Sequence, residues 1–300
     1  MADSDFCSVK CLEAGEPLMA TAPRTDVWLA LETAGRWGHQ ALKESDLPDS
    51  TKNHIAAFQD AVATTRVVLI KREQPQPSDG IMCYLAVSQA DPPRLYQFRL
   101  PHIEALEDID LPRVAAGDSA YADHLMNQPV YLVCTHGKRD PCCATFGLPV
   151  YLALKDQVTD VWQCTHLGGH RFAGNLVSLP DGAYYGRLSP QTALAALRDI
   201  QQGNIPLEAY RGRGRFEQPV QAAEALVRER LGERRLSALR LLRVDEPEPD
   251  SWMVRFEHDS GSISLRIARR PAGYAIHDSC AAEKAVDVVQ YHLEEMAQGA

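Results

Sequence analysis

The stretch between Cys134 and Asn175 constrains this chain more than any other. It reads C-T-H-G-K-R-D-P-C-C-A-T-F-G, then a spacer, then W-Q-C-T-H-L-G-G-H-R-F-A-G-N. Eight residues separate Cys134 from Cys143, and three separate His166 from His170. Soft donors at short spacings, with glycines between them, are what a metal or iron–sulfur site requires of a backbone. A helix or a tight turn would bring both imidazoles to one ion, and Gly168-Gly169 favours the turn. The loop between the thiols contains Lys138 and Arg139, whose charge favours thiolate. On spacing alone, a Cys2His2 zinc site and an iron–sulfur site both remain open.

The frame around this stretch is long enough for two domains and a small third, at 300 residues. With 45% hydrophobic residues it can fill real cores. There is no run of about 18 apolar residues, so no membrane span is expected. The opening M-A-D-S-D-F lacks the basic and apolar regions of a cleaved signal. A net charge of −9 disfavours nucleic-acid binding and suits a chain that docks on basic protein partners. Eight cysteines in a chain without a signal point to ligands or redox centres in a reducing compartment, with the cytoplasm as the expected location.

Taken in order, residues 7–22 read as a docked N-terminal arm, with Cys7 and Cys11 a C-x3-C that has no second pair nearby. Strands are expected at 27–32, 67–70, 81–87 and 95–100, with a helix over 53–65. A second unit opens with the strand 129–134. It continues through a helix over 146–155, a strand at 158–162, a hairpin over 176–188 and a helix from Ser189-Pro190. That β-α-β-β-α order matches a thioredoxin-like half-domain. Arg211-Gly212-Arg213-Gly214-Arg215 reads as a flexible basic linker or partner-docking segment. A helix over 219–231, strands at 236–244, 252–258 and 262–268, and a last helix over 285–296 close the chain. No repeat appears at the 20–50-residue periods of solenoids.

The pattern H-G-K-R-D-x-C-C, then W-x-C-T-H-x-G-G-H-R-F-A-G-N and Y-Y-G-R-L, resembles the sucrase/ferredoxin-like family. So do C-S-x7-E-P-L-x-x-T-A, W-L-A-L-E-x-x-G-R-W-G, Tyr210-Arg211-Gly212 and Gln221-Ala222-Ala223-Glu224. The chain is expected to be α/β in three parts, an N-terminal α/β domain (1–125), a middle domain (126–212) that the resemblance implies is a thioredoxin-like ferredoxin domain, and a small C-terminal α/β module (213–300). The resemblance further implies a [2Fe-2S] cluster ligated by Cys134, Cys143, His166 and His170, with both histidines on one iron as in Rieske centres. Imidazoles in place of thiolates raise the potential and link electron to proton uptake. The partner implied is a redox protein, a donor or an acceptor.

Neighbouring residues offer alternatives. Cys142 competes with Cys143 for the second thiol position, and the eight-residue spacing favours Cys143. Cys164 reads as a buried small residue and His136 as a loop residue. Arg139, Asp140, Arg171 and Asn175 read as loop-fixing groups, and Tyr185 and Arg187 as packing. A dithiol reductase would need a C-x-x-C, which is missing, and vicinal Cys142-Cys143 closes only a strained ring. A glycosidase would need two carboxylates across a sugar site, and no such pair is identifiable.

Overall fold

The computed structural model describes residues 5–73 and 80–299. Its elements, in chain order, begin with helix α1 (Cys7–Glu13), strand β1 (Val27–Glu32), helix α2 (Asp49–Ala61) and strands β2 (Thr65–Lys71), β3 (Ile81–Val87) and β4 (Arg94–Leu100). Helix α3 (Leu111–Ala116), strand β5 (Val130–Cys134), helix α4 (Pro141–Leu154) and strands β6 (Val161–Cys164), β7 (Leu176–Leu179) and β8 (Ala183–Tyr185) follow. Helix α5 (Pro190–Gln201), strand β9 (Tyr210–Arg213) and helix α6 (Gln218–Leu231) lead to strands β10 (Arg240–Glu248), β11 (Ser251–His258), β12 (Gly261–Ile276) and β13 (Val286–Gly299).

The chain is α/β, with the first nine strands in one curled sheet of order β4-β3-β1-β2-β6-β5-β7-β8-β9. Period-two alternation assigns each strand's residues to its two faces. Val27, Leu29 and Leu31 of β1 pack outward under α2 and α3, while Trp28 and Ala30 face inward. In β5, Tyr131 and Val133 pack towards α4 and α5, and Val130, Leu132 and Cys134 face the same inner core as Trp28. Both faces of these strands are covered, so they read as continuous apolar runs rather than as alternating ones.

Within this sheet one arrangement occurs twice. β1 and β2 are parallel, as are β5 and β6, and the next two strands of each half add antiparallel on the far side. The two halves meet where β2 pairs antiparallel with β6, Ile70 opposite Cys164 and Lys71 opposite Gln163. The repeat is about a hundred residues long, too long for the periods at which arrays are sought. One sheet therefore takes in the strands of both halves, β1 to β4 and β5 to β9.

The C-terminal module is the antiparallel sheet β10-β11-β12-β13. Trp252, Val254, Phe256, Ile263, Leu265 and Ile267 from its strands pack on Val220, Ala223 and Val227 of α6.

Three local expectations fail. Residues 285–296, expected as a helix, lie from Val286 on in strand β13, because pairing with the long β12 outweighs a spacing that suits either period. The helix expected from 146 begins at Pro141, where Asp140 caps it by accepting from the Cys142 amide. Of the segment 211–215, read as a flexible linker or docking stretch, residues 211–213 lie in strand β9, whose four residues are all buried. Burial of its arginines is possible because partners wait inside. Arg213 donates to Glu224 at 2.6 Å, Arg228 reaches the same carboxylate at 2.9 Å, and the Tyr210 hydroxyl donates to it at 2.9 Å.

Burial alone would raise the pKa of Glu224, but Arg213 and Arg228 prevail and hold it at about 2. A carboxyl depressed on folding stabilises the fold above its unfolded pKa and loses that contribution as pH falls towards the folded value. Between about pH 4.5 and 2 the wild type should therefore lose stability faster than Glu224→Gln, as measured by urea unfolding. At neutral pH the same substitution should cost roughly 3–5 kcal/mol, since it strands two buried guanidinium groups.

Candidate metal centre

The candidate donors stand at the C-terminal ends of the parallel strands β5 and β6, where loops leave a parallel sheet and ligands are usually held. Cys134 is the last residue of β5, and its neighbour across the strand pair is Cys164. α4 then returns with Cys143 in its first turn. Gly147 lets the helix approach that closely. A Cβ there would lie 1.9 Å from the Cys134 carbonyl oxygen, an overlap no side chain survives.

The imidazoles hang from the loop after β6. Thr165 extends the β2–β6 pairing into that loop, its hydroxyl accepting from the Leu69 amide at 3.0 Å and its amide donating to the Leu69 carbonyl at 2.9 Å. Gly168 and Gly169 turn the chain through left-handed conformations, φ +94° and +70°, which glycine adopts without strain. Asn175 donates to the Gly169 carbonyl at 2.9 Å, and Arg211 donates to the Gly168 carbonyl at 3.0 Å and to Asn175 at 2.8 Å. Arg211 also bonds the hydroxyl and carbonyl of Thr21 and lies over the Phe172 ring at 4.8 Å. Burial pushes its pKa down to about 9, which leaves it cationic at neutral pH.

The ligand atoms of Cys134, Cys143 and His166 lie within 4.8 Å of one another. His166 Nδ1 is 3.7 Å from Cys143 Sγ. His170 stands beside this trio with its ring stacked on His166, centroids 5.0 Å apart and planes inclined by 35°. Its Nε2 faces Asp140 at 3.7 Å, while its Nδ1 is buried without a partner among the described residues. Both thiols are 1% exposed. Cys134 is held well below the ordinary thiol pKa by the hydrogen bond it receives from Cys143, with His166 adding to the effect against burial. Cys143, as donor of that bond and buried, is pushed up. The two thiols titrate as a coupled pair.

The remaining residues singled out in the sequence surround this group. His136 donates from Nε2 to the Gly38 carbonyl at 2.7 Å, meets Trp37 edge-on, and is held below the usual imidazole range by burial. Its Nδ1 is also buried and without a partner among the described residues. Arg139 reaches His39 at 3.4 Å, and Arg171 grips Glu16 at 2.8 Å. Arg187 donates to the Glu16 carbonyl at 2.6 Å, and Tyr185 lies in the core under α5. Cys164 is fully buried, and burial drives its thiol pKa well up. Cys142 does not face the group of Cys134 at all; it belongs to a second cluster with Cys7, Asp140 and Cys280. Arg211 and Gly147 escape sequence reasoning. Arg211 sits in a glycine-rich basic run that imitates a linker, and Gly147 carries no mark beyond being a glycine inside a helix.

A family model described as "Sucrase/ferredoxin-like" matches residues 18–212. Among curated proteins, "Altered inheritance of mitochondria protein 32" of Meyerozyma guilliermondii is 31% identical over 113 residues, covering 33% of this chain and 40% of that protein. The protein of the same name from Saccharomyces kudriavzevii is 31% identical over 96 residues, 27% of this chain and 31% of the relative. That of Debaryomyces hansenii is 32% identical over 100 residues, 29% of this chain and 36% of the relative. The chain thus spans less than half the length of these relatives. No solved structure matches it.

Since Arg211 holds the histidine turn without touching the donors, Arg211→Ala should weaken metal retention by roughly 10–100-fold. Competition against a chelator measures this, with far-UV circular dichroism reporting an intact fold. Arg215→Ala, whose contact is the distant Ala90 carbonyl, should leave retention unchanged.

Proposed function

The chain belongs to the sucrase/ferredoxin-like family, and from that premise we propose that it is an electron-transfer protein whose centre is a [2Fe-2S] cluster held by Cys134, Cys143, His166 and His170. One observation carries the reading. Two thiols and the His166 imidazole converge on one spot, His170 stands beside them with its ring centroid 5.0 Å from that of His166, and its Nδ1 is buried with no partner among the described residues. A buried ring nitrogen without a hydrogen bond is costly, and a metal bond would relieve it. The donor set fits: soft thiolates from one side and neutral imidazoles from the other.

A cluster bound there would supply one-electron transfer at a potential above that of all-cysteine ferredoxins, since imidazoles carry less negative charge than thiolates. The chain's own residues define the rest. Both thiols would bind as thiolates, their protons released to solvent. The Nε2 of His170 faces Asp140 at 3.7 Å, with Asp278 also close by. The thiols are sealed in the core while both histidines keep partial exposure, so a protein redox partner would meet the imidazole edge. No helix among the described residues is long and apolar enough to cross a membrane. Cysteines clustered with histidine and aspartate suit a reducing compartment such as the cytoplasm. Residues 126–212 are the proposed electron-transfer unit, with 1–125 as its companion and 213–300 as the closing module.

Anaerobic purification should yield iron and acid-labile sulfide in equal amounts and a reduced EPR signal, all lost in Cys143→Ser. Zinc in this centre without sulfide would sink the proposal. His170→Cys should keep the cluster, lower its potential by on the order of 100 mV or more, and flatten its pH dependence. Protein-film voltammetry across pH measures both.

A further inference from the structure

A second group of donors lies where three distant parts of the chain meet. Cys7 in α1, Cys142 in the first turn of α4, and Cys280 in the loop between β12 and β13 converge with Asp140, their ligand atoms all within 4.8 Å of one another. Cys142 Sγ is 3.5 Å from Cys7 Sγ and 3.3 Å from Cys280 Sγ. Cys7, Cys142 and Asp140 are buried and Cys280 is half-buried.

The spacing discriminates between uses of three thiols. A disulfide needs its sulfurs at about 2.05 Å, whereas tetrahedral zinc with Zn–S bonds of about 2.3 Å sets them about 3.8 Å apart. The observed contacts fall near the second value, and they involve three sulfurs rather than one pair. The surroundings also suit thiolates. The Ser8 hydroxyl donates to Cys142 Sγ at 3.3 Å, and the Cys7 amide donates to Cys280 Sγ at 3.4 Å. Asp140 is itself fixed, Oδ1 accepting from the Cys142 amide and Oδ2 from the Cys280 amide, both at 2.9 Å. Hydrogen bonds that orient the donors in this way are typical of built metal sites.

We propose that Cys7, Cys142, Cys280 and Asp140 form a structural zinc site, separate from the centre of Cys134 and His166. Four protein donors on one ion close the coordination shell, as structural zinc requires, and leave no position open for a substrate. The ion takes the place of the three thiol protons, which are released to solvent. It pins the N-terminal helix and the loop of the C-terminal sheet to the start of α4, directly behind Asp140 and His170.

The test uses the full chain purified without chelator, with zinc and iron quantified in the wild type, Cys280→Ser and Cys134→Ser. Stoichiometric zinc is expected in the wild type and in Cys134→Ser, and at least about tenfold less in Cys280→Ser with its iron retained. A wild type without zinc, or a Cys280→Ser that keeps it, overturns the inference. Zinc kept by Cys280→Ser but lost from Cys134→Ser puts the ion in the first centre and overturns the electron-transfer reading as well. Iron missing from a wild type whose zinc still depends on Cys280 sinks that reading alone. Should a variant fail to fold, the wild type decides. Iodoacetamide should label Cys280 at least about tenfold faster once zinc is stripped, and equal rates with and without zinc overturn the site.

Discussion

Asp140 is a carboxylate with 3% of its surface exposed and no arginine or lysine against it among the described residues. A buried charge survives only if the groups around it are arranged to hold it. Here those groups are the Cys142 amide, the Cys280 amide and the facing edge of His170. Each comes from a different piece of the molecule: the start of α4, the loop of the C-terminal sheet and the turn after β6. Burial pushes its pKa up, the amides and His170 draw it down, and the balance leaves it below the ordinary carboxylate value. Meeting the needs of one side chain therefore fixes the relative positions of both thiol clusters and of the outer histidine.

The two halves of the nine-stranded sheet show how little of a fold is needed to make a site. Both place a parallel strand pair with a crossover helix beside an antiparallel pair. Only the second half carries cysteine and histidine where its parallel strands end. The first half ends β1 at Glu32 and supplies a cover instead. Trp37 packs edge-on to His136, and the Gly38 carbonyl holds that ring. Function on this scaffold is thus a matter of loop chemistry, as it is on other widely reused folds.

What could be read in the sequence was what depends on local pattern. Apolar runs marked β1, β3 and β5 because strands buried on both faces need them. Ser189-Pro190 marked the start of α5 because capping is a contact between near neighbours. The same logic applies to Asp140-Pro141, a cap followed by a proline at the first helical position. Arg211 and Arg213 could not be read this way. A guanidinium belongs in a core only when its partners are already there, and Asn175 and Glu224 lie in other elements. Residues 285–296 failed for a similar reason, since Val289, Leu293 and Met296 suit a helix as well as a strand until β12 is present to pair with.

The sequence by itself determined the kinds of donor in the centre and their spacing: two thiols eight residues apart and two imidazoles three apart, with glycines between the imidazoles. Its spacing favoured Cys143 over Cys142 but showed nothing for Cys142 to do. Cys142 and Cys143 sit together in the first turn of α4, where successive side chains diverge by about 100° around the axis. Cys143 therefore turns inward to Cys134 and His166, and Cys142 turns to Cys7 and Cys280. Two residues adjacent in the chain serve different clusters, because only the packed helix decides which way each one points.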